Sequence, residues 1–211
     1  MIDIIVAQPR CSEFLAAKIW TFYAGTKPPE PLQKALGKEY RLHGMDTGKL
    51  LRSIFTSSEF YEPVVVRHQI KSPVQWLIQM CKALEIPLLS QKQSLSLLSN
   101  LGQNLFEPPN VKGWDGGRAW ISSSTLLVRY NAAGNIVRGG TGPKPNIDQI
   151  FPSALSPEQA VDLLAWRLFQ SPMPPALRDR TLAFLSAKGS SPAARCDLLH
   201  LLMSTPEYQL T

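Results

Sequence analysis

Residues 72–87 read SPVQWLIQMCKALEIP, and the reading of this stretch decides the fold class. Ser72 followed by Pro73 is a helix start: a hydroxyl to cap free N–H groups, then proline at the first helical position, where no donor is lost. Val74, Leu77, Ile78, Cys81 and Leu84 then recur at the spacing of one helical face. Pro87 ends the run. A strand of this length would have to alternate, and this one does not.

The same pattern spreads outward. Downstream, residues 90–102 predict a helix with Leu95, Leu98 and Leu101 inward, and residues 123–133 predict another, stopped by Gly134. Upstream, residues 3–8 predict a helical turn ended by Pro9. Leu15, Ile19 and Phe22 give the next helix its inner face, with Gly25 as its stop. Leu32, Ala35 and Leu36 mark a third, and Asp46 caps a fourth that carries Leu50, Leu51, Ile54 and Phe55. Val64-Val65-Val66 has strand propensity but no partner strand, so it reads as extended. Near the other end, Ser156-Pro157-Glu158-Gln159 is a capping box, Pro174-Pro175 opens a helix, and Pro192 opens the last one. The chain is therefore expected to be all-α, an orthogonal multi-helix bundle of eight or nine helices. Its expected organisation is a three-helix unit at 1–63, central helices and a loop at 64–134, a Gly/Pro-rich connector at 135–156, and a second three-helix unit at 157–211.

The two ends resemble each other. Trp20 stands before Pro28-Pro29 at the same spacing as Trp166 before Pro174-Pro175. LLRSIFTSSEF at 50–60 also parallels LLHLLMSTPEY at 198–208. This predicts an internal repeat of one helix, a Pro-Pro connector, two helices and a Glu-aromatic turn, each copy needing a neighbour to bury its apolar face.

The one stretch that is not helix and connector is FEPPNVKGWDGGRAWISSSTLLVRYN, residues 106–131. Gly113, Gly116 and Gly117 permit backbone that a Cβ would disfavour, and Trp114 and Trp120 flank the Asp115-Gly116-Gly117 turn. Asn110, Lys112, Gly113, Trp114, Asp115, Gly116, Gly117, Trp120, Ser123 and Ser124 form a candidate binding loop. Its tryptophans can stack on a ligand or anchor a core. Its serines can offer helix N–H groups to an anion, or simply cap the helix. Glu107 and Asp115 can be an acid–base pair, but the favoured reading is that Asp115 makes the Asp-Gly turn and Glu107 is solvated or paired with Lys112 or Arg118.

This stretch is similar to the signature of a bacterial family called domain of unknown function 1800. The shared features are Pro-Pro, Val-Lys-Gly-Trp, a Gly-Gly turn, Trp, Ser-Ser-Thr, Leu-Leu and Arg. KSPVQWLIQMCKALEI and the ending LLMSTPEYQ resemble it more loosely. Members of the family are typically twice as long, with His- and Glu-bearing motifs in an N-terminal half, so the resemblance implies that this chain is a C-terminal half. It implies no activity, and it carries fold further than function.

Composition narrows the function classes. Lys and Arg exceed Asp and Glu by six, but they are scattered, without the basic stripe that nucleic-acid binding needs. No apolar run is long enough to span a bilayer, and the acidic start MID is unlike a signal peptide. The compartment stays open. Cys11, Cys81 and Cys196 are far apart and odd in number, and read as buried thiols. His68 and His200 lack a His or carboxylate at i+3 or i+4, and Asp46, three after His43, reads as a helix cap, so no metal pair is expected on a helix. No P-loop, Gly-x-Ser-x-Gly elbow or Cys-x-x-Cys occurs. No cofactor is implied. The expected function is a non-catalytic structural or partner-binding piece, associating through an apolar face. The alternative is part of an enzyme, such as a hydrolase, whose catalytic residues lie mostly elsewhere.

Overall fold

The computed structural model describes residues 1–211. The chain is all-α, with eleven helices, three short 3-10 turns and no strand. It divides into two compact units, Met1–Ile70 with Thr211, and Lys71–Leu210.

The first unit holds α1 (Ile2–Ala7), α2 (Pro9–Ala24), α3 (Glu30–Leu42) and α4 (Thr47–Thr56), then a 3-10 turn at Ser58–Tyr61. Gly25 stops α2 at φ 72, and the Asp46 carboxylate caps α4 by accepting from the Lys49 N–H at 3.1 Å. The buried face of α2 differs from the expected one. Ser12, Ala16, Trp20 and Ala24 turn inward, while Leu15 and Ile19 are half-buried and Phe22 is 69% exposed. The reason lies on the neighbouring helix. A Cβ on Gly37 would stand 2.7 Å from Glu13 Cα, so α2 and α3 meet backbone to backbone there. Small residues suit that seam, and Trp20 fills the space beyond it with Leu36, Tyr40, Leu50, Ile54 and Val65. Phe55 is not inward but 36% exposed. The valines at 64–66 are not extended: Val65 and Val66 N–H groups both donate to the Glu62 carbonyl, which closes a turn and buries Val65 alone.

The second unit holds α5 (Pro73–Ala83), α6 (Gln91–Asn100), α7 (Ser123–Val137), α8 (Ile147–Ile150), α9 (Pro157–Phe169), α10 (Pro175–Lys188) and α11 (Pro192–Met203). A 3-10 turn lies at Gly117–Trp120 and another at Pro206–Gln209. Ser72, Ser90, Ser122 and Ser156 each cap a helix in a reciprocal box with the residue three further on. The core is built on Trp76, Met80, Leu84, Val161, Leu164, Leu199 and Tyr208. On α5 the stripe is rotated: Trp76 and Met80 are fully buried, and Ile78 is 38% exposed. On α6, Leu95 likewise faces out while Leu98 is buried.

Gly134 does not stop α7, which runs on to Val137. The glycine serves close approach instead, since a Cβ there would stand 2.8 Å from His200 Cε1 on α11. The stretch 135–156 is also more than a connector. It includes the last residues of α7 and all of α8, and Ile150 and Phe151 are both core residues. Arg195 of α11, only 2% exposed, holds this stretch by donating to the Phe151 carbonyl, to the Ile147 carbonyl at 3.4 Å and to Asp148 Oδ1 at 2.6 Å.

The two ends share an element order: α2, Pro-Pro, α3, α4 and a 3-10 turn; then α9, Pro-Pro, α10, α11 and a 3-10 turn. Their tryptophans have opposite surroundings. Trp20 is 1% exposed and Trp166 is 63% exposed, off the buried stripe of α9. All three cysteines are free, but only Cys81 is buried; Cys11 and Cys196 are half-buried.

Candidate functional site

The loop between α6 and α7 is built from local bonds. Asn110 Oδ1 accepts from the Lys112 N–H at 2.9 Å and the Asn110 carbonyl accepts from the Gly113 N–H at 3.0 Å, so Asn110 closes an Asx turn. Lys112 Nζ donates to Asp115 Oδ1 at 2.9 Å, and this bond raises the lysine above its ordinary value. Gly113, Gly116 and Gly117 all have positive φ with open space where a Cβ would point, so conformation and not crowding selects glycine. Trp120 is buried, and Trp114 only half-buried. Asp115 and Lys112 face solvent together. Glu107 is exposed, and Asp115 is taken up by its bond to Lys112.

Ser122 is the helix cap: its Oγ accepts from the Thr125 N–H at 3.2 Å, and Thr125 Oγ1 in turn accepts from the Ser122 N–H. Ser123 and Ser124 are exposed, and the Ser124 hydroxyl shares a bond with the Ser122 hydroxyl at 2.9 Å. Around these residues the segment leaves apolar side chains in water. Phe106, at φ 64, is 96% exposed, and Val111, Leu127 and Tyr130 are exposed as well.

A second group, which the residue pattern did not disclose, sits just after the loop. Arg129 is 2% exposed. Its guanidinium donates to Gln209 Oε1 and to the Lys71 carbonyl, both at 2.9 Å, and lies 5.7 Å from the Trp76 ring. Its acceptors are neutral, and burial lowers its pKa to about 10, still well above neutral pH. Lys71, itself buried, donates from Nζ to the Tyr208 carbonyl at 2.5 Å and stands 4.0 Å over the Tyr208 ring. Gln209 is held by donating to the Met203 and Thr205 carbonyls. The Tyr208 hydroxyl is buried without a partner, and burial raises its pKa. The available signal was an arginine between the apolar run Leu126-Leu127-Val128 and Tyr130, where a charge is out of place unless bonded.

On α11, His200 Nε2 lies 2.9 Å from the Tyr130 carbonyl and Nδ1 lies 3.3 Å from an Arg138 nitrogen. A carbonyl can only accept and a guanidinium can only donate. Nε2 therefore carries the proton and the ring is neutral. Burial lowers the histidine below its ordinary value. No three His, Cys, Asp or Glu side chains gather as they would around a metal ion. No helix is long and apolar enough to cross a membrane.

A family model described as protein of unknown function (DUF1800) matches residues 1–210. The chain belongs to that family. No curated protein and no solved structure matches it. Within this DUF1800 chain the signature stretch thus carries two things: an exposed, locally braced loop and a buried arginine that joins distant parts of the second unit.

Proposed function

We propose that this DUF1800 chain is a non-catalytic helical piece that binds a protein partner through apolar surface, with the loop at 106–120 as part of the contact. The observation that carries the reading is the amount of apolar side chain left in water. Helix α1 buries none of its residues, and Ile2, Ile4 and Ile5 are each more than half exposed. That helix is tied down by polar bonds, from the Arg41 guanidinium to the Ala7 and Gln8 carbonyls. Phe14, Phe22, Tyr61, Phe106 and Val111 add to the exposed set. Soluble monomers rarely leave large apolar patches without a use for them.

Sedimentation of the whole chain, together with a dye that reports exposed apolar surface, tests the proposal. The expected result is self-association or strong dye binding, with no turnover. A compact monomer that binds no dye and turns over a substrate overturns it.

A further inference from the structure

On the second unit, α5 and α9 form an open pocket of about 580 Å³ whose lining includes Gln79, Lys82, Leu163, Trp166, Arg167 and Gln170. Its lining holds an anomaly. Trp20, Trp76 and Trp120 are buried and Trp114 is half-buried, but Trp166 leaves 63% of its surface in water. A ring this exposed is a flat apolar platform at the mouth of a cavity.

The polar groups around it are already oriented. Gln79 Nε2 donates to Gln170 Oε1 at 3.1 Å, and Gln170 Nε2 donates to the Arg167 carbonyl at 3.0 Å. Gln170 sits at φ 51 and ψ 25, a left-handed conformation uncommon outside glycine. That backbone ends α9, and the side chain folds back onto its last turn. Gln170 Nε2 also donates to the Trp166 carbonyl at 3.5 Å, so the pair keeps Gln79 Oε1 as an acceptor and one further N–H on the Gln79 amide.

The charges are unequal. Arg167 donates to the Ala83 carbonyl at 3.1 Å and to Glu85 Oε1 at 2.7 Å, and Gln149 donates to Glu85 Oε2 at 2.8 Å. Glu85 is thus matched on both oxygens. Lys82 enters no ion pair and is exposed, so the pocket presents one uncompensated ammonium and a rim richer in donors than acceptors.

A pyranose ring has an apolar C–H face and hydroxyls around its edge, and a uronic acid adds a carboxylate. We propose that this pocket binds a uronate-bearing saccharide. The sugar ring lies on the Trp166 indole, the Gln79 amide, held in place by Gln170, meets its hydroxyls, and Lys82 meets its carboxylate. The site is separate from the loop at 106–120, so its failure leaves the partner-binding proposal standing.

Calorimetry on the whole chain tests this, because it reads binding even when the indole is removed. Trigalacturonate is the probe, cellotriose the neutral control and decaproline the peptide control. The expected result is saturable, salt-sensitive binding of trigalacturonate that Trp166→Ala abolishes and Lys82→Gln weakens about threefold to fivefold. Cellotriose should bind more weakly than trigalacturonate by a similar factor. Both substitutions are on the surface, and circular dichroism should show the helices unchanged. The proposal is overturned by no binding in the unaltered chain, by Trp166→Ala binding as well as the parent, by equal binding of the neutral sugar, or by decaproline taking the site instead.

Discussion

The loop at 106–120 and the Arg129 group come from one stretch of sequence, yet they are held in opposite ways. The loop's side-chain bonds join residues two or three apart, such as Asn110 to Lys112 and Lys112 to Asp115, and they face solvent. The bonds of the buried group span 58, 80 and 137 residues. A local exposed bond competes with water and ties down little that was not already close. A long-range buried bond fixes where whole helices meet, and its loss strands acceptors away from water. The conspicuous letters of the signature, its glycines and tryptophans, mostly shape a turn. Its second arginine, Arg129, joins Lys71, before α5, to Gln209, after α11.

The largest test of that contrast is Arg129→Met. It removes two bonds and leaves Gln209 Oε1 and the Lys71 carbonyl without their donor. The expected loss is about 3–5 kcal/mol of unfolding free energy, read from the urea midpoint. A loss below about 1 kcal/mol would mean that the arginine is no more structural than the loop. Trp114→Ala comes next. A fully buried tryptophan would cost about 3–5 kcal/mol, but Trp114 is half-buried, so about 1–2 kcal/mol is expected. A loss as large as that for Arg129→Met would erase the distinction between the two regions.

His200 gives a smaller effect and a pH signature. Its folded value lies below 6.5, chiefly through burial, with Arg138 acting the same way and the Tyr130 carbonyl and Asp197 opposing. The unfolded chain therefore takes up the proton more readily. Stability should be complete above the unfolded value and fall as pH drops through the lowered folded value. Urea midpoints at pH 7.5 and pH 5 should show the decline, and His200→Gln should flatten it. An unchanged slope in that variant would assign the decline to other groups. Lys112→Ala is the smallest. Its ion pair is exposed, and the urea midpoint should stay where it is in the parent chain. A clear drop in that midpoint would show that the loop is braced far more firmly than its exposure suggests.

Much of the helix inventory was legible because punctuation is local. Ser72-Pro73, Ser156-Pro157, Asp46 and Gly25 each mark a boundary by their own chemistry, and each boundary stands where they put it. Faces were less legible. On α2 the larger Leu15, Ile19 and Phe22 outranked Ala16 and Ala24 by hydrophobicity, but the partner helix offers a glycine, and a close seam takes small residues. Gly134 misled for the same reason: a glycine that ends a helix and one that lets another helix approach look alike until the neighbour is known. For the candidate site, the serine cap could be read from residue types alone. The bonds from Arg129 to residues 71 and 209 could not, because nothing nearby in sequence names those acceptors.

Those distant bonds also bear on how the chain is made. The core of the first unit draws on residues 16–65, so it can close soon after they are synthesised. Lys71 donates to a carbonyl 137 residues away. At about 5–20 residues per second, translation takes on the order of ten seconds to reach that carbonyl after passing Lys71. Throughout that interval the second unit must keep Lys71 and Arg129 hydrated, and its core open around them. The first unit has no such wait, so during synthesis one chain is half finished and half unsettled, and the open half is where a chaperone or a protease would find its substrate.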